Sequence, residues 1–149
     1  MAMNMDGEVQ LSAARTYVWE KLNDPKVLKA CIPGCEELEK REDEPGFRAV
    51  AKLKVGPISA KFRGVVTLTD LDPPNSYRIT GEGDGGISGF AKGGAHVALS
   101  DKDGGTLLTY KVTADVGGKL AQLGARLISG TAKKMADQFF AKFAEAVQS

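Results

Sequence analysis

Phe47-Arg48-Ala49-Val50-Ala51-Lys52-Leu53-Lys54-Val55-Gly56-Pro57 runs into Ile58-Ser59-Ala60-Lys61-Phe62-Arg63-Gly64-Val65-Val66-Thr67-Leu68, and both stretches alternate with a period of two about a short turn. Side chains on a strand point to opposite faces in turn, so parity separates an inner from an outer face. Phe47, Ala49, Ala51, Leu53 and Val55 share one side, opposite Arg48, Lys52 and Lys54. After the Gly56-Pro57 turn, Ala60, Phe62, Gly64, Val66 and Leu68 take the inner side against Lys61, Arg63 and Thr67. A charged outer face and an apolar inner one predict an antiparallel hairpin with one wall in solvent.

The same rhythm continues towards the C-terminus. Asp72-Pro73-Pro74-Asn75 predicts a reversal, after which Tyr77, Ile79, Gly81 and Gly83 carry on the inner face. A further strand places Ala91, Gly93, Ala95, Val97 and Leu99 inside, and Asp103-Gly104-Gly105 turns it into a last strand with Leu108, Tyr110, Val112, Ala114 and Val116 inside. From Lys119 to Val147 the period becomes helical, about thirty residues or eight turns. Leu120, Leu123, Leu127 and Thr131 make one stripe of this helix; Met135, Phe139, Phe143 and Val147 make a second, rotated one. Gly124 and Gly130 lie where the stripes change over, and the expected bend is near Gly130.

Towards the N-terminus, Asn4 to Leu11 alternates as a half-buried strand, with Met5, Val9 and Leu11 against Asn4, Glu8 and Gln10. Ser12 is expected to cap a helix bearing Val18, Trp19 and Leu22. Asp24 and Pro25 are expected to start a second short helix, ending at Cys31-Ile32-Pro33-Gly34-Cys35. The reading is one α+β domain over residues 1–149: a curved antiparallel sheet of six to seven strands around a long C-terminal helix, with two short helices after the first strand.

Composition narrows the function. The chain has 149 residues, 42% of them apolar, and 20 basic against 19 acidic side chains give a net charge of +1, without the basic excess that nucleic acid requires. Met1 to Gly7 lacks a basic region followed by an apolar run, and no apolar run of membrane-spanning length appears, so a cytoplasmic protein with free thiols is expected. The inner face is unusually small: Ala49, Ala51, Ala60, Gly64, Gly81, Gly83, Ala91, Gly93, Ala95 and Ala114 sit mid-strand. Two outcomes are open. A helix held off such a wall leaves an apolar cavity, whereas small residues also let strands coil and a helix dock tightly with no void.

No inward position on these strands offers an ordinary catalytic acid, base or nucleophile, which argues against an enzyme. His96, the only histidine, has outer-face parity beside Lys92. Cys31 and Cys35 lack the further ligands that zinc needs, so neither metal nor cofactor is expected, and buried small hydrophobes or a redox pair remain the readings. Gly81-Glu82-Gly83-Asp84-Gly85-Gly86 matches G-x-G-x-x-G, yet a strand rather than a helix follows it. The glycines from Gly81 to Gly94 are read as a bulged hairpin, with Asp84 to Gly89 placed to gate a cavity mouth.

Pro25-Lys26-Val27-Leu28-Lys29-Ala30-Cys31-Ile32-Pro33-Gly34-Cys35-Glu36, with Val55-Gly56-Pro57-Ile58 and the glycine-rich Gly83 to Gly94 stretch, resembles the carbon monoxide dehydrogenase CoxG family of the START-related SRPBCC superfamily. The resemblance implies a helix-grip fold with a hydrophobic cavity between sheet and helix. It also implies a supporting, non-catalytic role for a molybdenum hydroxylase of the carbon monoxide dehydrogenase type, including carriage of a quinone or recruitment of the enzyme to the membrane. Many relatives continue into a polar linker and an apolar segment; this chain stops at Ser149, so no direct anchor is expected, and any place at the inner face of the membrane would come through partners.

The expected occupant is an apolar molecule such as a quinone or lipid, with Trp19, Phe47, Phe62, Tyr77 and Tyr110 as aromatic lining and Leu123 and Leu127 from the helix. Gly81 and Ala95 are the positions where a larger side chain is expected to fill the space. The alternative is an assembly module that docks on the hydroxylase through its outer face or the 31–35 turn and holds no ligand. A homodimer is left open.

Overall fold

Period-two alternation gives seven strands among the residues described by the computed structural model, 1–148. In chain order these are β1 (Ala2–Leu11), β2 (Cys35–Lys40), β3 (Gly46–Val55), β4 (Ile58–Asp72), β5 (Ser76–Asp84), β6 (Phe90–Lys102) and β7 (Gly105–Gly117). Helices α1 (Arg15–Leu22) and α2 (Pro25–Cys31) follow β1, and α3 (Ala125–Ala146) follows β7. The strands form a single antiparallel sheet in the order β1-β7-β6-β5-β4-β3-β2. Helix α3 lies against β1 at one edge and also against β3, next to the other edge, so the sheet curls around it. This is the helix-grip architecture.

Local chemistry explains the joints. Asp103 and Gly104 both have positive φ, 50° and 77°, the conformation of a tight two-residue hairpin turn that matches strand twist. The Asp24 carboxylate accepts from the Lys26 N–H at 2.9 Å and Pro25 opens α2, as the sequence predicts. Asp24→Ala should therefore lower stability by about 1 kcal/mol, read as a fall in urea midpoint without a change in slope. Ser12, in contrast, does not cap α1. Ala14 stands at the N-cap with no side-chain bond, and the fully buried Thr106 hydroxyl holds the preceding turn by donating to the Ala13 carbonyl at 2.7 Å.

Two further expectations are corrected. The C-terminal helix runs unbroken through Gly130, which sits inside α3; the break in the helical stretch is at Gly124. A short 3-10 segment, Gly118–Leu123, ends there, and φ of 90° at Gly124 redirects the chain before α3 begins. The glycines between 81 and 94 make no bulge. Strands β5 and β6 pair in unbroken register from Ser76–Ala98 to Asp84–Phe90, and the register shifts fall at Cys35/Glu37 and Thr69/Asp72 instead. Gly85 donates to the Gly89 carbonyl at 2.8 Å, and the Gly86 N–H to Asp84 at 2.7 Å, closing the connection around a three-residue 3-10 turn that leaves Ile87 83% exposed.

Candidate functional site

Two chambers lie between the inner face and α3. The first, about 250 Å3, is walled on the sheet side by Leu53, Val55, Phe62, Gly83 and Ala91, and on the helix side by Ile128, Thr131, Ala132 and Met135. Its wall is almost wholly apolar. The second, about 260 Å3, lies nearer α1 and α2. Phe47, Ala49, Val66, Ile79 and Tyr77 come from the sheet, Leu28 and Ile32 from the α2 region, and Phe139 and Phe140 from α3.

Among the described residues, Tyr77 is the only ionisable one in either wall. Burial pushes its pKa far above the ordinary tyrosine value, so the hydroxyl stays protonated and can donate. Its ring meets Trp19 edge to face, with centroids 5.2 Å apart. The site thus offers shape, apolar surface and two hydroxyls, Tyr77 in the second chamber and Thr131 in the first, a set that orients a carbonyl-bearing apolar molecule and has little else for chemistry.

The expected lining divides between these chambers and their surroundings. Phe62 lines the first; Phe47 and Tyr77 line the second. Trp19 packs behind Tyr77. Tyr110 lies across Gly7, its register partner on β1, and stacks on Phe140 with centroids 5.1 Å apart. Leu123 packs beside Val55, Val116, Leu120 and Ile128. Leu127 is 39% exposed over Gly56, because the break at Gly124 turns Ile128 inward in its place. Gly81 and Ala95 border neither chamber and lie between them along their strands.

The wall residues that strand parity did not reach come mainly from helices: Leu28, Ile32, Ile128, Met135, Phe139 and Phe140. The Met135-Phe139-Phe143 stripe was the legible part of that signal.

Whether small residues serve a cavity or tight docking is decided at Gly64 and Gly81. A Cβ built at Gly81 would lie 3.5 Å from Val65 and Val66 atoms, and one at Gly64 3.2 Å from the Glu82 carbonyl; at neither does any α3 atom come within 4 Å. The helix does not descend onto this wall.

Outside the chambers, His96 is exposed on the outer face. Cys31 is buried and Cys35 half-buried, both as free thiols. Burial is the main cause that raises both their pKa values. Both should be protonated at pH 7.5, and iodoacetamide should label the folded protein at least about tenfold more slowly than the unfolded chain, followed by mass spectrometry. Among the described residues no cluster of His, Cys, Asp or Glu could hold a metal ion, and no helix is long and apolar enough to cross a membrane.

A curved antiparallel sheet gripping a long helix over an apolar interior defines the helix-grip class, to which the SRPBCC proteins belong. Within it, the profile of the carbon monoxide dehydrogenase CoxG family matches residues 7–148, and the chain belongs to that family. A protein from Geobacillus kaustophilus, described only as a conserved protein, is 32% identical with a TM-score of 0.90, over 97% of this chain and 95% of its own. A Chromobacterium violaceum protein shares the fold at 15% identity and a TM-score of 0.71, over 98% of each chain. The di-domain ARO/CYC BexL of the BE-7585A biosynthetic pathway shares it at 13% identity and a TM-score of 0.68, covering 99% of this chain and 50% of that one. No curated protein matches the sequence significantly.

Proposed function

We propose that the protein is a non-enzymatic carrier that shields an apolar small molecule, quinone-like or lipid-like, between sheet and helix. It does so in support of a molybdenum hydroxylase of the carbon monoxide dehydrogenase type, in the cytoplasm or at the inner face of the membrane through that partner. The observation that carries the reading is the pair of apolar chambers with Tyr77 as the single ionisable residue among their described walls. Membership of the CoxG family supports the partner. Apolar walls favour uptake at about 25 cal/mol per Å2 of surface removed from water, and the protonated Tyr77 hydroxyl, the one polar group of the second chamber, selects a carbonyl without supplying an acid or base that works near neutral pH.

Trp19 is the only tryptophan and touches Tyr77, so it reports on the second chamber. Titration with a ubiquinone bearing one isoprenyl unit should quench its fluorescence saturably at one equivalent. Quenching that stays linear, for this quinone and for a brominated fatty acid alike, would contradict the carrier reading.

A further inference from the structure

The apolar core falls into a large cluster and a smaller one. One buried cluster surrounds Leu11, Val18, Leu108 and Phe143; the other comprises Val55, Val116, Leu120 and Ile128. The chambers follow the same division, and on β3 to β6 the boundary falls at alanine or glycine, whereas on β7 Tyr110 and Val112 stand between Leu108 of the second chamber and Ala114 of the first. On β3, Leu53 lines the first chamber and Ala49 the second, with Ala51 between them; on β4, Phe62 and Val66 flank Gly64. On β5, Gly83 and Ile79 flank Gly81, and on β6, Ala91 and Val97 flank Gly93 and Ala95.

Nothing in the sheet demands glycine at 81. Its backbone is not in the positive-φ region, and a Cβ there would make only ordinary contacts. Glycine inside a strand is otherwise a cost, so its absence of bulk calls for a cause above the sheet. On the helix side the boundary is Met135, which lines the first chamber one turn before Phe139, which lines the second. Methionine, unbranched and with several rotatable bonds, is the apolar side chain best suited to swing aside.

We propose that the two chambers are one site for an elongated ligand. Its flat, carbonyl-bearing head lies beside Tyr77, and its apolar tail crosses the Gly64–Gly81 floor into the first chamber, with Met135 as the movable partition that sets tail specificity. The inference rests on the carrier reading and goes beyond it in naming the shape of the cargo.

Volume sets the scale. Each chamber alone, at about 250 or 260 Å3, falls short of the roughly 300 Å3 at which ligand pockets begin, whereas the pair falls within the usual range. At roughly 30 Å3 per water-sized group, one chamber holds about eight such groups, a quinone ring with its two oxygens and no tail. The other chamber then takes about two isoprenyl units.

The test is a Trp19 titration with 1,4-benzoquinones whose ring carries only an isoprenyl tail of zero, one, two or four units, on the full chain and on Gly81→Leu and Met135→Trp, which plug the passage from opposite walls. In the native protein affinity should rise about tenfold per five-carbon unit, equivalent to about 0.3 kcal/mol per ligand atom, up to about two units and then level off. Gly81→Leu should bind the tail-less quinone within about threefold of the native protein, and both variants should lose the gain from the tail.

A variant that fails to fold by circular dichroism leaves the other to decide. A tail gain that persists in a folded variant, or a loss that is equal for every tail length, overturns the single-site proposal while the carrier reading stands. Absence of binding by any quinone to the native protein overturns both.

Discussion

Ala49→Phe should weaken the one-unit quinone by about tenfold and leave the fold intact. Ala49 lies mid-strand on β3, facing the second chamber between Phe47 and Val66, and its register partner on β4 is Gly64. A phenyl ring at this position projects into open volume of about 260 Å3 rather than into packed side chains. It occupies the space of about four ligand atoms. At about 0.3 kcal/mol for each displaced ligand atom, that exclusion comes to about 1.2 kcal/mol, or about tenfold.

Overpacking of a filled core costs about 1–3 kcal/mol, whereas filling a void commonly stabilises. The melting temperature of the empty variant should accordingly be equal to or above that of the native protein. Unchanged quinone affinity together with an unchanged melting temperature would place the ligand elsewhere.

Phe143→Ala has the largest expected effect on stability, a loss of about 3–5 kcal/mol. Phe143 is fully buried, stacked on Phe139 with centroids 5.7 Å apart, and belongs to the cluster that joins β1, α1 and β7 through Leu11, Val18 and Leu108. It is the anchor that keeps the end of α3 on the sheet while the middle of the helix stands off the Gly64–Gly81 floor. Helix α3 turns Ile128, Met135, Phe139, Phe140 and Phe143 towards the sheet, and most of the stability of a helix in a protein comes from such docking. Urea unfolding by circular dichroism checks the value; a loss below about 1 kcal/mol would mean that α3 is held by other contacts.

Much of the fold was legible because an antiparallel sheet with one wall in water writes its period into the chain. The runs at Phe47–Val55 and Ala60–Leu68 alternate without a break, and the inner and outer faces read from them are those observed. Turns whose chemistry is local were equally plain: Asp103-Gly104, Asp24-Pro25 and Gly56-Pro57 need only their own residues. Ser12 misled because the turn it was expected to cap is held by Thr106, 93 residues away from the Ala13 carbonyl it binds. Gly130 misled for a related reason. Either glycine could have broken the helical pattern, and only the path of the chain off β7 selects Gly124.

The chambers were harder to read. Strand parity identified the sheet wall, including Phe47, Phe62 and Tyr77, but the opposite wall depends on how α2 and α3 are rotated above it. Leu127 and Ile128 are equally apolar neighbours, and a change of direction at Gly124 decides which one faces inward. The row of small residues was visible from the start. Its meaning, a floor that the helix leaves uncovered, required the distances at Gly64 and Gly81.

The most direct test of a carrier is whether it leaves its own cell loaded. Native mass spectrometry of protein purified from that source, followed by organic extraction of the same sample, should show one apolar molecule per chain, with a carbonyl-bearing head and a flexible tail. Protein that flies only at its bare mass, yields nothing on extraction and takes up no added quinone would contradict the account.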